Sequence, residues 1–302
     1  MRFKIYKYPL LIVAFYLASC VNKHKDENVD VSKVEESPAR EITAKGLEDL
    51  NESKVMKNII CQDWENKEDA EDASSLDITS TMDVLYRGYS FFNDGSVVKD
   101  PRQEISIGRW VLHDQVKPIS IEMTFDNGKT KIETWQLAYL SPVAMKLAKI
   151  TGEEKTTTDF TSEAIRNIDL NEDPFYPSNI LWRIKPTAPE SDKQIKQRLK
   201  DCIHFFVLFY QQKIDAKSKA VTFVGLPTCF TFYSGGVSVQ NENTLTKKWI
   251  NCFYSREQAL KARDLAEKLI REHFKLPGSA SNWLYANLAI LKAMEERIGS
   301  IN

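Results

Sequence analysis

Hydrophobic and polar residues are distributed in different ways along the chain, and these patterns divide it into successive regions. An uninterrupted apolar run covers residues 10–18, and the residues before it include Arg2, Lys4 and Lys7. As a helix this run would span about 14 Å, less than half of a bilayer's hydrocarbon core. A basic start followed by a short apolar run is typical of a secretory signal peptide, so we predict residues 1–19 to be one.

The apolar run ends in the residues Leu17-Ala18-Ser19-Cys20. They resemble the lipobox of bacterial lipoproteins, in which the signal is cut before the cysteine and acyl chains such as palmitate are attached to it. This resemblance implies that Cys20 is the lipidation site and that its acyl chains anchor the mature protein in the membrane.

The residues after Cys20 bear on which membrane surface carries the protein. Val21 and Asn22 differ from the aspartate that follows the cysteine in some lipoproteins retained at the inner membrane, so we expect the outer membrane. Lys25-Asp26-Glu27 resembles a short signal of surface-exposed lipoproteins in the Bacteroidetes. A chance triplet in a charged segment is the alternative, and surface exposure therefore stays open.

Residues 20–58 show no regular apolar pattern. From Val21 to Asn58, 16 of 38 residues are charged and none is aromatic. Such a segment cannot bury enough apolar surface to offset the entropy of ordering it, so we predict a flexible tether. Gly46–Lys57 is a candidate for a short helix within it.

Apolar and polar residues alternate through residues 59–150, which predicts β-strands. One predicted hairpin has Asn93-Asp94-Gly95 as its turn, and another turn is Asp126-Asn127-Gly128-Lys129. Five or six short strands at intervals of about ten residues predict a small antiparallel barrel or sandwich.

The strand order resembles that of lipocalin-like domains in Bacteroidetes lipoproteins. Trp64, the segment Phe91 to Gly95, and Gly108-Arg109-Trp110 are the matching positions, whereas Cys61-Gln62-Asp63 departs from the pattern before the first tryptophan. The resemblance implies a barrel more than an activity. Some barrels of this size hold apolar ligands, and others are filled by their own side chains, which is the reading we favour.

The pattern changes again after residue 150. Residues 151–172 are polar and rich in turn formers, and they are predicted to be a linker with a short helix over Asp159–Asn171. In residues 173–302, repeated prolines predict an extended entry that contains Leu181–Lys185. An apolar stripe at helical spacing then predicts a helix over Lys193–Lys213, and two more helices end the chain. Between the first of these helices and the last two, aromatic segments around Cys229–Tyr233 and Trp249–Tyr254 predict a small antiparallel sheet. The predicted fold class is thus α+β, with a lipocalin-like barrel or sandwich followed by an α+β domain of three helices and a small sheet.

Four cysteines remain after Cys20 is assigned to lipid. Cys229 and Cys252 lie on strands that we predict to pair, which makes them the best candidates for a disulfide in an exported protein. The equal alternative is that these cysteines are buried as small apolar residues, since Cys202 lies on the apolar face of its predicted helix.

The net charge and the absence of known motifs limit the functional classes that the sequence supports. Net charge is −1, and removing residues 1–19 leaves 38 basic against 42 acidic residues, so no basic field predicts nucleic-acid binding. None of the four histidines lies at metal-ligand spacing, and His204 is predicted on the polar face of its helix. We identify no catalytic residues, no metal site and no cofactor motif.

These observations favour a membrane-anchored, non-catalytic binding or interaction module of the bacterial cell envelope. Its partner would be an envelope protein, a glycan or an apolar ligand. The alternatives are an envelope hydrolase whose carboxylates no motif reveals, and a carrier of lipid in a hollow barrel. The aromatic residues around Phe230 and Trp249 are candidates for a stacking surface, although a place in the core is the more frequent use of such residues.

Overall fold

The computed structural model describes residues 50–69, 87–126, 129–151, 154–162, 169–217, 225–233, 236–273 and 282–300. The predicted signal peptide, the lipidation site Cys20 and most of the predicted tether lie outside these residues. None of the helices within them combines the length and apolar character needed to cross a membrane.

Eight antiparallel strands form a closed barrel, which confirms the barrel and excludes the sandwich. Each strand pairs with its neighbour in sequence, and β1 closes the ring on β8 through Glu65 opposite Thr161 and Asn66 opposite Phe160. The strands are β1 (Asp63–Asn66), β2 (Gly88–Phe91), β3 (Ser96–Lys99), β4 (Ser106–His113), β5 (Ser120–Asp126), β6 (Thr130–Leu140), β7 (Ala144–Thr151) and β8 (Glu154–Thr161).

The last strand corrects the predicted linker. β8 lies inside the predicted linker 151–172, and its residues Asp159–Thr161 coincide with the start of the predicted short helix. Most of β8 is polar and solvent-exposed, so it has no apolar alternation that could reveal a strand; only Phe160 is buried in the barrel core. Pairing with β7 and β1, rather than its own composition, makes this segment a strand.

Alternate residues of the strands fill the barrel. Tyr89 and Phe91 of β2 contact each other, Phe91 meets Trp110 edge-on at 5.3 Å between ring centroids, and Tyr89 contacts Phe160. Other inward residues that are buried include Val97, Leu112, Ile121, Met123, Phe125, Leu137, Met145 and Leu147. The interior between these strands is therefore packed with side chains, as favoured from the sequence.

Helix α1 (Leu50–Ile60) precedes the barrel strands, and the part of the chain after the barrel is mainly helical. Its helices are α2 (Pro177–Ile180), α3 (Asp192–Asp215), α4 (Lys247–Asn251), α5 (Arg256–His273) and α6 (Trp283–Arg297), and its two-stranded sheet is β9 (Phe230–Tyr233) with β10 (Gly236–Val239). Ser191 caps α3 by accepting a hydrogen bond from the Gln194 N–H. The predicted stripe of α3 is confirmed, because Leu199, Cys202 and Phe206 are all buried.

Two predicted extended segments of this part are helical instead. The strand predicted over Trp249–Tyr254 is wrong, because Lys247–Asn251 is helix α4 and Thr246 caps it by accepting a hydrogen bond from the Trp249 N–H. Leu181–Arg183, in a stretch that the sequence predicts to be extended, is a 3₁₀ helix directly after α2. In α4, the Thr246 cap therefore overrides the strand preference of the aromatic residues that follow it.

The barrel and the helical part share packed residues. Phe92 and Val98 belong to the apolar core of the helical part, and Phe92 contacts Tyr176 edge-on at 5.2 Å. The buried guanidinium of Arg183 donates hydrogen bonds to the carbonyls of Pro101 and Gln103 in the loop after β3. Burial lowers the pKa of Arg183 to about 10.

Candidate functional site at the charged end of the barrel

Helix α1 (Leu50–Ile60) closes one end of the barrel. Met56 and Ile60 are buried in the barrel core, and the Trp64 indole N–H donates to the Ile60 carbonyl at 2.9 Å. The Gln62 side chain donates to the carbonyl of Pro142 in the β6–β7 turn and accepts from the hydroxyl of Ser162 after β8. We call this the helix end.

Part of α1 lies in the predicted tether. Within the described residues, which begin at Leu50, the helix proposed over Gly46–Lys57 covers Leu50–Ile60 and extends three residues further at its C-terminal side. Met56 and Ile60 account for the extension, because both are buried in the barrel core and this burial stabilises the helix. The charged residues beside them make no such contribution.

At the opposite end of the barrel, the inner faces of the strands carry charged residues in place of apolar ones. Lys99 follows Val97 on the inner face of β3, and Lys149 follows Met145 and Leu147 on the inner face of β7. Six side chains define this feature, which we call the charged end: Tyr89, Lys99, Lys131, Glu133, Trp135 and Lys149.

Glu133 is the centre of the charged end. One carboxylate oxygen accepts hydrogen bonds from Lys99 at 2.7 Å and from Lys131 at 2.9 Å, and the other accepts from the Tyr89 hydroxyl at 3.2 Å. The Glu133 side chain is only 5% exposed, whereas that of Lys131 is 67% exposed. The carboxylate is thus held inside the barrel wall by partners from three different strands.

The balance of burial and charge determines the protonation of Glu133. Burial alone would raise its pKa, but hydrogen bonds and the positive charges of Lys99 and Lys131 outweigh that cost and hold the pKa at about 2. Glu133 is therefore ionised at neutral pH. Burial, with the Glu133 charge and hydrogen bond, raises the pKa of Tyr89, so this hydroxyl remains a neutral donor.

Asp100 lies beside this network, after β3. Its backbone has the left-handed φ of 51°, and its carboxylate accepts a hydrogen bond from the Gly88 N–H at 3.1 Å. Burial raises the pKa of Asp100, and the Glu133 charge raises it further. The two carboxylates therefore have pKa values displaced in opposite directions.

Trp135 and Lys149 form the second half of the charged end. The Lys149 ammonium lies 5.8 Å from the centre of the Trp135 ring, within the range of a cation–π contact. The Trp135 indole N–H is buried and has no hydrogen-bond acceptor among the described residues. Lys149, which is solvent-exposed, likewise has no carboxylate within ion-pair distance in the described part of the chain, so no side chain described there accepts a hydrogen bond from either group.

The residues predicted from sequence as sites lie elsewhere. Cys20 is outside the described residues. Cys229 and Cys252 are buried and not joined by a disulfide, and Cys252 ends helix α4 instead of lying on a strand paired with Cys229. Burial raises the pKa of both thiols, that of Cys252 to about 12. They occupy the core as small apolar residues, which is the alternative left open above.

Other candidates from the sequence have structural roles. Phe230, Trp249 and Phe253 are buried in the helical core, while Tyr233 and Tyr254 are partly exposed. His204 is half-buried instead of fully solvated, and its Nδ1 lies 2.7 Å from a carboxylate oxygen of Glu295 on α6. Among the described residues, no three histidine, cysteine or acidic side chains are placed to hold a metal ion.

Sequence reasoning missed the charged end because alternation does not reveal which face of a strand is inward. In β6, Lys131, Glu133 and Trp135 share one face, and Ile132 and Thr134 share the other. The first face points inward although it is the more polar one at this end. The sequence feature that could have indicated the charged end is a lysine two positions after an inward-facing apolar residue, which occurs in both β3 and β7.

Comparison with known proteins identifies no relative: no family model matches the chain, and no curated protein or solved structure matches it significantly.

Proposed function

We propose that this chain is a bacterial lipoprotein, held at the outer membrane by acyl chains on Cys20, and that its barrel is a lipocalin-like, non-catalytic binding module. The residues 1–20 support the anchoring part of the proposal, since the basic start, the short apolar run and Leu17-Ala18-Ser19-Cys20 follow the lipoprotein pattern. Several acyl chains on one residue give stable anchoring, whereas one chain alone is marginal.

The observation that supports a binding module is the difference between the two ends of the barrel. The helix end is covered by α1, with Met56 and Ile60 in the barrel core and hydrogen bonds from the side chains of Gln62 and Trp64. The charged end combines a buried carboxylate, three ammonium groups and an unsatisfied buried donor. An unsatisfied buried N–H costs about 1–3 kcal/mol of stability. A functional role is one reason why a native protein retains such a group. We therefore assign the binding site to the charged end.

Anchoring is tested with Cys20→Ala. Cells that produce the natural chain or the variant are supplied with labelled palmitate, and the membrane fraction is separated. We expect label and membrane association in the natural chain and neither in the variant. A variant that still partitions with membranes, or a natural chain that takes up no label, would contradict the lipoprotein assignment.

Binding is tested by native mass spectrometry on the full chain, isolated in a non-ionic detergent from the cells that make it. We expect an additional non-covalent mass that disappears on denaturation. Trp135→Phe should reduce its occupancy, and Trp249→Phe, which changes a buried tryptophan of the helical part whose indole N–H donates to the Ala259 carbonyl at 3.1 Å, should not. Equal occupancy in the two variants would place the bound molecule outside the charged end.

A second candidate function, an envelope hydrolase, is favoured by the opposite displacement of two carboxylate pKa values. Such a division suits a general acid, here Asp100, beside an ionised base or nucleophile, here Glu133. Against this candidate, Tyr89, Lys99 and Lys131 occupy both oxygens of Glu133. Loss of a hydrolytic activity in Asp100→Asn with unchanged ligand occupancy would favour the hydrolase.

The third sequence-based candidate, a carrier of lipid in a hollow barrel, has less support. It would need an apolar cavity beneath Trp110 and Trp135. Trp110 contacts Phe91 and donates its indole N–H to the Phe92 carbonyl at 2.8 Å, and Met123, Leu137 and Leu147 are buried in the same core. A long acyl chain would have to displace these side chains.

A further inference from the structure

The charge balance at the charged end leaves one ammonium group uncompensated. Lys99 and Lys131 share the single carboxylate of Glu133, and Lys149 stacks on Trp135 without a carboxylate within ion-pair distance among the described residues. At an exposed site, an aromatic face attracts an ammonium group much less strongly than a hydrogen-bonded anion does.

The indole N–H of Trp135 is the other donor of the Trp135–Lys149 pair. It is buried, it has no acceptor among the described residues, and its indole ring packs against the barrel core. Buried donors in native structures nearly always have a partner, and an oxygen of a bound ligand would complete this one. The Lys149 ammonium and the indole N–H thus belong to one side-chain pair, the first a cationic donor and the second a neutral one.

The chemistry of the pair indicates the class of acceptor. A carboxylate has two oxygens that accept only, and carries one negative charge. Lys149 and the Trp135 N–H offer one positive charge and two separate donors. A phosphate would bring about one more negative charge than these donors neutralise, and it would approach Glu133.

Resting on the proposed function, we propose that the charged end binds the carboxylate group of a small organic acid. Lys149 and the Trp135 N–H are the donors to this group, and the body of the ligand extends away from the packed core. Glu133 keeps Lys99 and Lys131 engaged when no ligand is bound, and so restricts the site to a single anionic group.

The proposal is tested on the full-length chain in a non-ionic detergent, with its tryptophans replaced by 5-fluorotryptophan. Fluorine NMR follows each tryptophan, and Trp135→Phe identifies the Trp135 signal. Hexanoate is the carboxylate probe, hexan-1-ol has the same chain without the charge, and inorganic phosphate is the alternative anion. We expect hexanoate alone to shift the Trp135 signal, with a dissociation constant of roughly 1 mM for a ligand of this size.

Three variants assign the donors. Lys149→Met keeps the length of the side chain without its charge, and we expect hexanoate affinity to fall about tenfold, as for the loss of one charge-assisted hydrogen bond. Lys146→Met is the matched control, because Lys146 is on the outer face of the same strand and pairs with Asp159 at 3.1 Å; its affinity should be unchanged. Glu133→Gln should raise the affinity several-fold, since it releases two lysines.

Each contrary result has a definite meaning. Equal binding of hexanoate and hexanol, or binding of phosphate in place of hexanoate, overturns the carboxylate inference but leaves a binding site at the charged end. An unchanged affinity in Lys149→Met, or no response of Trp135 to hexanoate, also overturns the inference. The proposed function fails separately, when the chain isolated from cells carries no bound mass that Trp135→Phe reduces.

Discussion

The ion-pair network of Glu133 makes a quantitative prediction about stability. In Glu133→Gln the side chain keeps its shape and one acceptor oxygen but loses its charge, so Lys99, which is 28% exposed, loses its counter-ion. A folded-state pKa of about 2 against an ordinary glutamate pKa of about 4.3 corresponds to about 3 kcal/mol of stability from this carboxylate at neutral pH. Because the substituted amide would still accept a hydrogen bond, we expect a loss of about 2–3 kcal/mol.

The pH dependence of this loss follows from the direction of the shift. A carboxylate whose pKa is depressed by folding contributes its full stability above the unfolded-state pKa, about 4.3, and loses it as the pH falls towards about 2. The difference between natural chain and variant should therefore be constant from pH 7 to pH 5. More than half of it should be lost by pH 3.

The assay is urea unfolding of both chains, followed by tryptophan fluorescence at several pH values. Glu122→Gln is the control, because Glu122 is 40% exposed on the outer face of β5, with His113 at 3.6 Å, and such pairs contribute little. A difference that is as large at pH 3 as at pH 7 would refute the electrostatic origin. No difference at pH 7 would refute the network's contribution altogether.

Three further predictions concern other parts of the fold. Gly108→Ala should destabilise the barrel by about 2 kcal/mol or more, because an added Cβ would lie 2.3 Å from the Thr124 carbonyl oxygen, whereas Gly299→Ala, with no atom within 4 Å, should change the unfolding free energy little. Trp64→Phe removes the bond to the Ile60 carbonyl, and should speed hydrogen exchange in α1 more than in α3; equal effects would show that α1 is not held by this bond. The thiols of Cys202, Cys229 and Cys252 should react with a thiol reagent only on unfolding, because burial raises their pKa values; a two-dalton mass increase on reduction would instead reveal a disulfide.

The elements that sequence patterns predicted well are those whose signals are local. The stripe of α3, with Ser191 as its cap, is complete within 25 residues, and the Asn93-Asp94-Gly95 turn between β2 and β3 needs no distant partner. In contrast, β8 has only Phe160 as a buried apolar residue, and only its pairing with β7 and β1 identifies it as a strand. Thr246 overrode the strand preference of the aromatic segment that follows it.

The sequence by itself determined the alternation that predicts strands and the stripes that predict the long helices, and it is the basis for predicting export and lipidation at Cys20, because each pattern depends on residues close together in the chain. Only the tertiary structure decided the closure of the barrel by β8, the covering of one end by α1 and the grouping of the charged end. Glu133 meets Lys99 and Tyr89 across 34 and 44 residues of chain. Such a contact depends on strand order and on which face points inward, and neither is encoded in local periodicity.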